Sequence, residues 1–159
     1  MGAFAGEIVD RLARELKRHP NQTDSAAAAL NVLSYYDGCS NARLAQVLRL
    51  SHPATVRLVD KLEADGLVRS RPGKDKRAVA LHLTEAGRTR ARAIIVARCA
   101  ALAGVLDLLS TRDQALLARL LEKLLAALPE NAEHADHICR LCDDIACPPR
   151  TCPVHQAVA

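Results

Sequence analysis

Apolar residues recur along this chain at helical spacing, interrupted by short polar or glycine-containing stretches. Phe4, Ile8, Val9, Leu12 and Leu16 share one stripe and predict a helix over about residues 4–18, ended by Pro20 and Asn21. Asp24 is placed to cap a second helix, through Ala26, Leu30 and Leu33 to about Tyr36, where Asp37-Gly38 breaks it. Ser40 can cap a short third helix that turns Leu44, Ala45, Val47 and Leu48 inward. Ser51 can cap a fourth, with Pro53 in its first turn, where a missing N–H does no harm. That helix runs to Asp65, and Gly66 supplies a left-handed stop. The period then shortens: residues 67–71 and 79–83 read as strands, with Pro72-Gly73 and the charged run Lys74 to Arg77 between them.

Thr84 begins a long helix. From Ile95 its apolar positions are Ile95, Cys99, Leu102, Leu106 and Leu109, a 4-3-4-3 seam that wants a partner helix. Beyond Ser110 and Thr111, another helix carries Leu116, Leu117, Leu120, Leu121, Leu124, Leu125 and Leu128, a stripe too broad for one contact, and Pro129 closes it. Helix, turn, helix, strand, basic loop, strand is the order of a winged helix-turn-helix. The expected fold class is therefore mainly α, with a small β wing. Residues 1–128 form the winged and dimerisation domain, its core at about 40–87 and its dimerisation helices at about 4–18 and 84–128. Residues 129–159 form a cysteine-rich tail.

Composition narrows the core. Half of the 159 residues are hydrophobic but only three are aromatic, so the core must be Leu, Val, Ala and Ile, which favours helix. One domain is expected at this length. The net charge of +4 is unevenly spread: residues 40–90 hold eleven Lys and Arg against five acids, whereas two Arg oppose five acids from Pro129 onward. Positive charge coincides with the winged segment, which suits a polyanion partner.

Placed at about 100° per residue, the helix from His52 to Asp65 has two faces. Thr55, Leu58, Val59 and Leu62 fall on the buried side, and Pro53, Val56, Arg57, Asp60 and Lys61 fall opposite. A recognition helix in the major groove needs its N-terminal half exposed to base edges. Arg57 can fork onto guanine, Val56 can meet a thymine methyl, and Lys61 adds a second cation. Ser51 and His52 stand at the helix start, where free backbone N–H groups bind phosphate. Arg71, Lys74, Lys76 and Arg77 add cations on the hairpin, and Arg77 suits a narrow minor groove. Double-stranded DNA is the expected partner.

The stretch LVDKLEADGLVRSRPGKDKRAVALHLTEAG holds Asp75 and Arg77 in an Asp-x-Arg, then Leu81-His82-Leu83-Thr84-Glu85-Ala86-Gly87. It resembles the multiple-antibiotic-resistance regulator (MarR) family of bacterial transcription factors, over about residues 4–128 and most strongly 41–90. The resemblance implies an obligate homodimer whose first and last helices interlock, with two winged motifs reading a pseudo-palindromic operator. It also implies that Arg77 is the wing arginine and that Asp75 braces the wing. Val56 stands where many relatives carry a small hydroxyl residue, and Thr55 where they carry an aliphatic. That departure bears on base preference rather than on fold. A transcriptional regulator, a repressor, is the expected function.

The stripes lead to a homodimer independently. Seams on Ile8, Leu12 and Leu16, on Leu106 and Leu109, and on Leu117, Leu121, Leu124 and Leu128 exceed what one small winged domain can bury, and would leave a large apolar patch. A small-molecule effector between the dimerisation helices and the winged domains is a further expected partner.

The tail contains Cys139, Cys142, Cys147 and Cys152, a C-x2-C-x4-C-x4-C pattern. Its apolar side chains are essentially Ile138, Leu141, Ile145 and Val154, so it cannot fold alone by burial and something must tie it down. A C-x2-C knuckle lets two sulfurs converge on one ion, and a turn at Pro148-Pro149 can bring Cys147 and Cys152 round to meet them. Zn2+ in a closed tetrahedral site is the first candidate. An iron–sulfur cluster on the same thiolates is the alternative, and metal-free disulfide switching is the third. His134, His137 and His155 can substitute for a cysteine ligand or stay solvated. A zinc ribbon normally separates two C-x2-C pairs by a long gap, so this spacing is compact. Cys99, on an apolar seam, is expected to be a buried small hydrophobe, and Cys39 to lie in a loop with no special role.

The chain lacks a phosphate-binding glycine loop, a nucleophile elbow and a recognisable scaffold of paired carboxylates, so an enzyme is not expected. A thioredoxin-like pair at Cys139 and Cys142 would need a βαβ context that is missing. No signal peptide is read at the start, and no apolar run is of membrane-spanning length, so a cytoplasmic protein without a membrane partner is expected. Six cysteines in that compartment point to metal or redox chemistry before structural disulfides.

Overall fold

The computed structural model of the protein describes residues 2–17, 23–73, 79–143, 145–148 and 150–159. Its elements run α1 (Gly2–Lys17), α2 (Asp24–Tyr35), β1 (Cys39–Ser40), α3 (Asn41–Leu48), α4 (His52–Ala64), β2 (Val68–Pro72), β3 (Val79–Leu83), α5 (Glu85–Leu106), α6 (Thr111–Ala126), α7 (Ala132–Cys139) and α8 (Pro153–Gln156). The protein is mainly helical with a small antiparallel sheet, as the periodicity predicts.

Thr23, rather than Asp24, caps α2: its Oγ1 accepts from Ala26 N at 3.2 Å. Asp24 instead occupies the first turn, where a carboxylate meets the positive end of the helix dipole. Every residue from Ala26 to Leu33 is buried. Four consecutive alanines allow close approach, and α1, α3, α4, α5 and β3 all pack on this helix. Ser40 and Ser51 cap α3 and α4, accepting from Arg43 N at 3.1 Å and Ala54 N at 3.4 Å. The turn between these helices closes through Arg49, whose left-handed φ of 53° is uncommon for a residue with a Cβ. Leu50 N then donates to Ala45 O at 3.0 Å.

Cys39 does not lie in a loop. With Ser40 it forms β1, pairs with Leu81 and Ala80 of β3, and is buried in a sheet ordered β1-β3-β2. A two-residue strand is too short to show an alternation in sequence. At the base of the wing, Thr84 Oγ1 donates to Gly66 O at 2.7 Å and accepts from Gly87 N at 3.0 Å. A Cβ on Gly87 would stand 2.0 Å from Leu67 O, so this close approach requires glycine.

Beyond the winged core, burial fades. Only Gly87, Ala91, Ile94 and Ile95 of α5 are buried, and no residue of α6 is. Cys99 is therefore exposed in the single protomer, contrary to the expected burial: α1 and α2 pack on α5 and bury Ile95 of its seam, but they leave Cys99 uncovered. Leu16 departs the other way: it is 4 % exposed, covered by its own protomer, and so belongs to the core rather than to a free seam. The tail folds by docking: α7 packs on α3 and α8, and α8 packs on α6. Among the described residues, no single helix is long and apolar enough to cross a membrane.

Candidate functional site

The outward face of α4 carries Arg57, Asp60 and Lys61, all exposed, and its N-terminal turn exposes Ser51, His52 and Pro53. Thr55 is fully buried, with its Oγ1 donating to Ser51 O at 3.2 Å, and Val59 and Leu62 point into the core. Val56 is half-buried at the border between the two faces. Glu63 ties the end of α4 to the wing by accepting from Ser70 N at 2.6 Å, and Arg69 and Arg71 of β2 are exposed. Lys74, Asp75, Lys76 and Arg77 lie outside the described residues. A capped helix start bearing His52, with Arg57 and Lys61 further along one face, can hold phosphate at its end and present forked donors to base edges.

The second candidate site is in the tail, which is clamped to the winged core at four places. Asn31 of α2 donates through Nδ2 to Arg140 O at 3.1 Å and to Cys142 O at 2.9 Å. His137 Nδ1 donates to Val47 O of α3 at 2.7 Å, and burial holds its imidazole below the usual histidine range. Asp136, buried, accepts from Tyr36 Oη at 3.1 Å and pairs with Arg43 of α3. Arg92 of α5 meets Asp143 at 2.9 Å.

These clamps gather the thiols. Cys139, Cys142, Cys147 and Cys152, with Tyr35, Tyr36, Asp136 and His155, line a partly open cavity of about 170 Å3. Cys139 Sγ and Cys152 Sγ are 3.9 Å apart. Cys142 is also within hydrogen-bonding reach of Cys139, and Cys147 of Cys152. The Cys139 thiol donates to Cys142, and this shared proton lowers Cys142 to about 7 and raises Cys139. Arg98 and Arg140 favour the Cys142 thiolate further. Burial pushes Cys147 and, away from this site, Cys39 up to about 11. Among the described residues, no three His, Cys, Asp or Glu side chains converge tightly enough to hold one metal ion. The thiols surround a space instead of meeting at a point.

Residues 22–78 match the MarR family model. The match runs from just before α2 to the wing. The protein resembles a MarR family protein of Mycobacterium tuberculosis at 29% identity, with a TM-score of 0.63 over 77% of this chain and 88% of that one. It resembles a MarR family protein of Bacillus stearothermophilus at 27% identity, with a TM-score of 0.67 over 77% and 85% of the two chains. Streptococcus pneumoniae FabT in complex with DNA shares the fold at 18% identity, with a TM-score of 0.66 over 77% and 91%. None of the curated proteins matches by sequence. The chain thus has the fold of a MarR-family transcription regulator.

On this MarR core, Ser51, His52, Arg57 and Lys61 share one end and face of α4, with Val56 at its margin. The four tail cysteines share one cavity, and of the three histidines only His155 lines it. His137 is engaged with α3, and the backbone N–H of His134 donates to Asn131 Oδ1, the cap of α7, at 2.9 Å. Ile8, Leu12 and Leu117 are half-buried, while Leu106, Leu109, Leu121, Leu124 and Leu128 are exposed. Sequence reasoning missed the clamp residues Asn31, Tyr36, Arg43 and Asp136. One signal was available: Asn31 is a lone amide inside an otherwise apolar run, and a buried amide needs partners.

Proposed function

We propose that the protein is a homodimeric, sequence-specific DNA-binding transcriptional regulator, a cytoplasmic repressor, whose hold on a pseudo-palindromic operator is modulated through its C-terminal thiol cluster. The observation that carries the DNA part is the exposed face of α4, with His52, Arg57 and Lys61 beyond a capped start, on a MarR-family core. In a dimer, two such helices must reach half-sites about 34–36 Å apart, so a small change in their spacing weakens binding. Dimerisation is supported by α6, where Leu116, Leu120, Leu121 and Leu124 stay exposed although α8 packs on part of the helix. Modulation is supported by Asp136, which lines the thiol cavity and grips Arg43 of α3, the helix that precedes α4. The protein acts by binding, and no catalysis is assigned to it.

The test is binding of the full-length protein to duplexes selected from a random pool, followed from 50 to 200 mM salt. Six or more phosphate contacts would lower affinity about a thousandfold or more over that range. A binding constant indifferent to salt overturns the DNA part, and a monomeric mass in light scattering overturns the dimer. Serine at both Cys139 and Cys142 should change DNA affinity. If affinity stays the same under every metal and redox condition, the tail is no regulator.

A second reading has its own observation. A cavity of about 250 Å3 lies where α2, α5 and the tail meet, lined among others by Asn31, Arg88, Arg92 and Ile95. A small-molecule effector there would regulate DNA binding, and the tail would be a purely structural zinc site.

A further inference from the structure

A DNA-binding core leaves the space inside the tail unexplained. The four thiols, the rings of Tyr35 and Tyr36 at the end of α2, and Asp136 and His155 line about 170 Å3, whereas one water-sized occupant needs only about 10–15 Å3 of such space. Each chemistry open to four thiols makes a different demand on that volume. A zinc ion with bonds of about 2.3 Å holds every pair of sulfurs about 3.8 Å apart, and the thiolates close over it and leave no void. The 3.9 Å between Cys139 and Cys152 suits one such edge, and the closeness of Cys142 to Cys139 and of Cys147 to Cys152 suits two sulfurs on one iron as well. Yet among the described residues no three donors converge on a common point. A disulfide would consume two thiols and fill nothing. An iron–sulfur cluster needs four thiolates spread around a multi-atom inorganic core, and it alone uses both the donors and the volume.

We infer that this cavity seats an iron–sulfur cluster ligated by Cys139, Cys142, Cys147 and Cys152, with Tyr35 and Tyr36 forming its inner wall. The inference deepens, and rests on, the proposal that the thiol cluster is the input of the regulator. Each thiol that binds iron releases its proton to solvent, and the inorganic sulfide and the iron, ferric or mixed ferric and ferrous, come from outside the protein, so the protein itself is neither oxidised nor reduced. Arg98 and Arg140 lie on the Cys142 side and offset the negative charge of such a group. Cys152 is 3% exposed and Cys142 is at the surface, so the cluster is reached from the Cys142 side.

The experiment uses the full-length protein, reduced, stripped with a chelator, and supplied without oxygen with sulfide and a mixture of ferric and ferrous iron, with zinc added to a competing sample. Iron and acid-labile sulfide should be taken up in equal amounts, about two or four of each per protomer, with a brown colour from sulfur-to-iron charge transfer. Cys142→Ser, at the surface, should lose most of this uptake while its circular dichroism stays that of the parent. Cys99→Ser should retain all of it. Uptake of one zinc per protomer in preference, of iron without sulfide, or undiminished uptake by Cys142→Ser overturns the inference. Salt-dependent DNA binding is measured on the same samples. A protein that binds DNA but assembles no cluster leaves the DNA-binding proposal standing and removes this one. A cluster without DNA binding does the reverse.

Discussion

Helices α2 and α6 are both rich in Ala and Leu, and they meet opposite fates. In α2 the run from Ala26 to Leu33 is buried on every side, whereas α6 has no buried residue. A helix that is apolar all round must sit inside its own domain. In α6, Arg112, Arg119, Glu122 and Lys123 alternate with the leucines, so only one stripe seeks cover, and the protomer provides only part of it, through α8. Hydrophobic content alone therefore does not say what a helix packs against. The angular spread of the apolar positions does: α2 is buried all round within the protomer, and α6 keeps an exposed apolar stripe, the one assigned to the proposed dimer.

The sharpest way to break this contrast is to make the same truncation in both helices. Leu30→Ala should cost about 2–5 kcal/mol, and the urea midpoint should fall equally at every protein concentration. Leu121→Ala should lower the midpoint only at concentrations where the dimer persists, and the loss should fade on dilution. Equal behaviour of the two variants would end the distinction.

Charge on the α6 stripe goes further. The double change Leu121→Glu and Leu124→Glu should halve the mass seen by sedimentation while leaving the helical circular dichroism in place, because neither side chain is buried in the protomer. The buried amide of α2 offers a smaller effect. Asn31→Ala strands the carbonyls of Arg140 and Cys142, at about 1–3 kcal/mol, and should raise hydrogen exchange in the tail more than in the core. On the exposed side of the molecule, Arg57→Ala should weaken operator binding by about 1–3 kcal/mol, with no change in melting temperature. Least of all, Cys39 should resist iodoacetamide until the pH nears 11, because burial holds it protonated. In metal-free, reduced protein Cys142, lowered to about 7, should react at pH 8.

How much of this was legible depends on how local each cause is. The caps at Ser40 and Ser51, the stop at Gly66 and the stripes of α4 and α6 involve neighbours within a turn or two, so the sequence shows them directly. The candidate DNA face of α4 follows from the same short-range periodicity. The cap at Thr23 is not singled out by sequence, because Asp24, one residue on, is an equally good capping type. The place of Cys39 is not legible, because its burial depends on Leu81, a strand partner brought close only by the sheet.

By itself, then, the sequence determined a winged helix with its basic face, an apolar surplus on α6, and four thiols in a tail too polar to fold alone. Only the tertiary structure decided where that tail goes. Asn31 reaches carbonyls more than a hundred residues away, and Asp136 meets Tyr36 and Arg43 across a similar distance. Such pairings are set by which faces remain after the core has closed, and no short-range pattern encodes them. The cavity among the thiols is of the same kind. Spacing can say that four sulfurs are able to meet, but only the packing of α7 and α8 on α3 and α6 makes them surround a space.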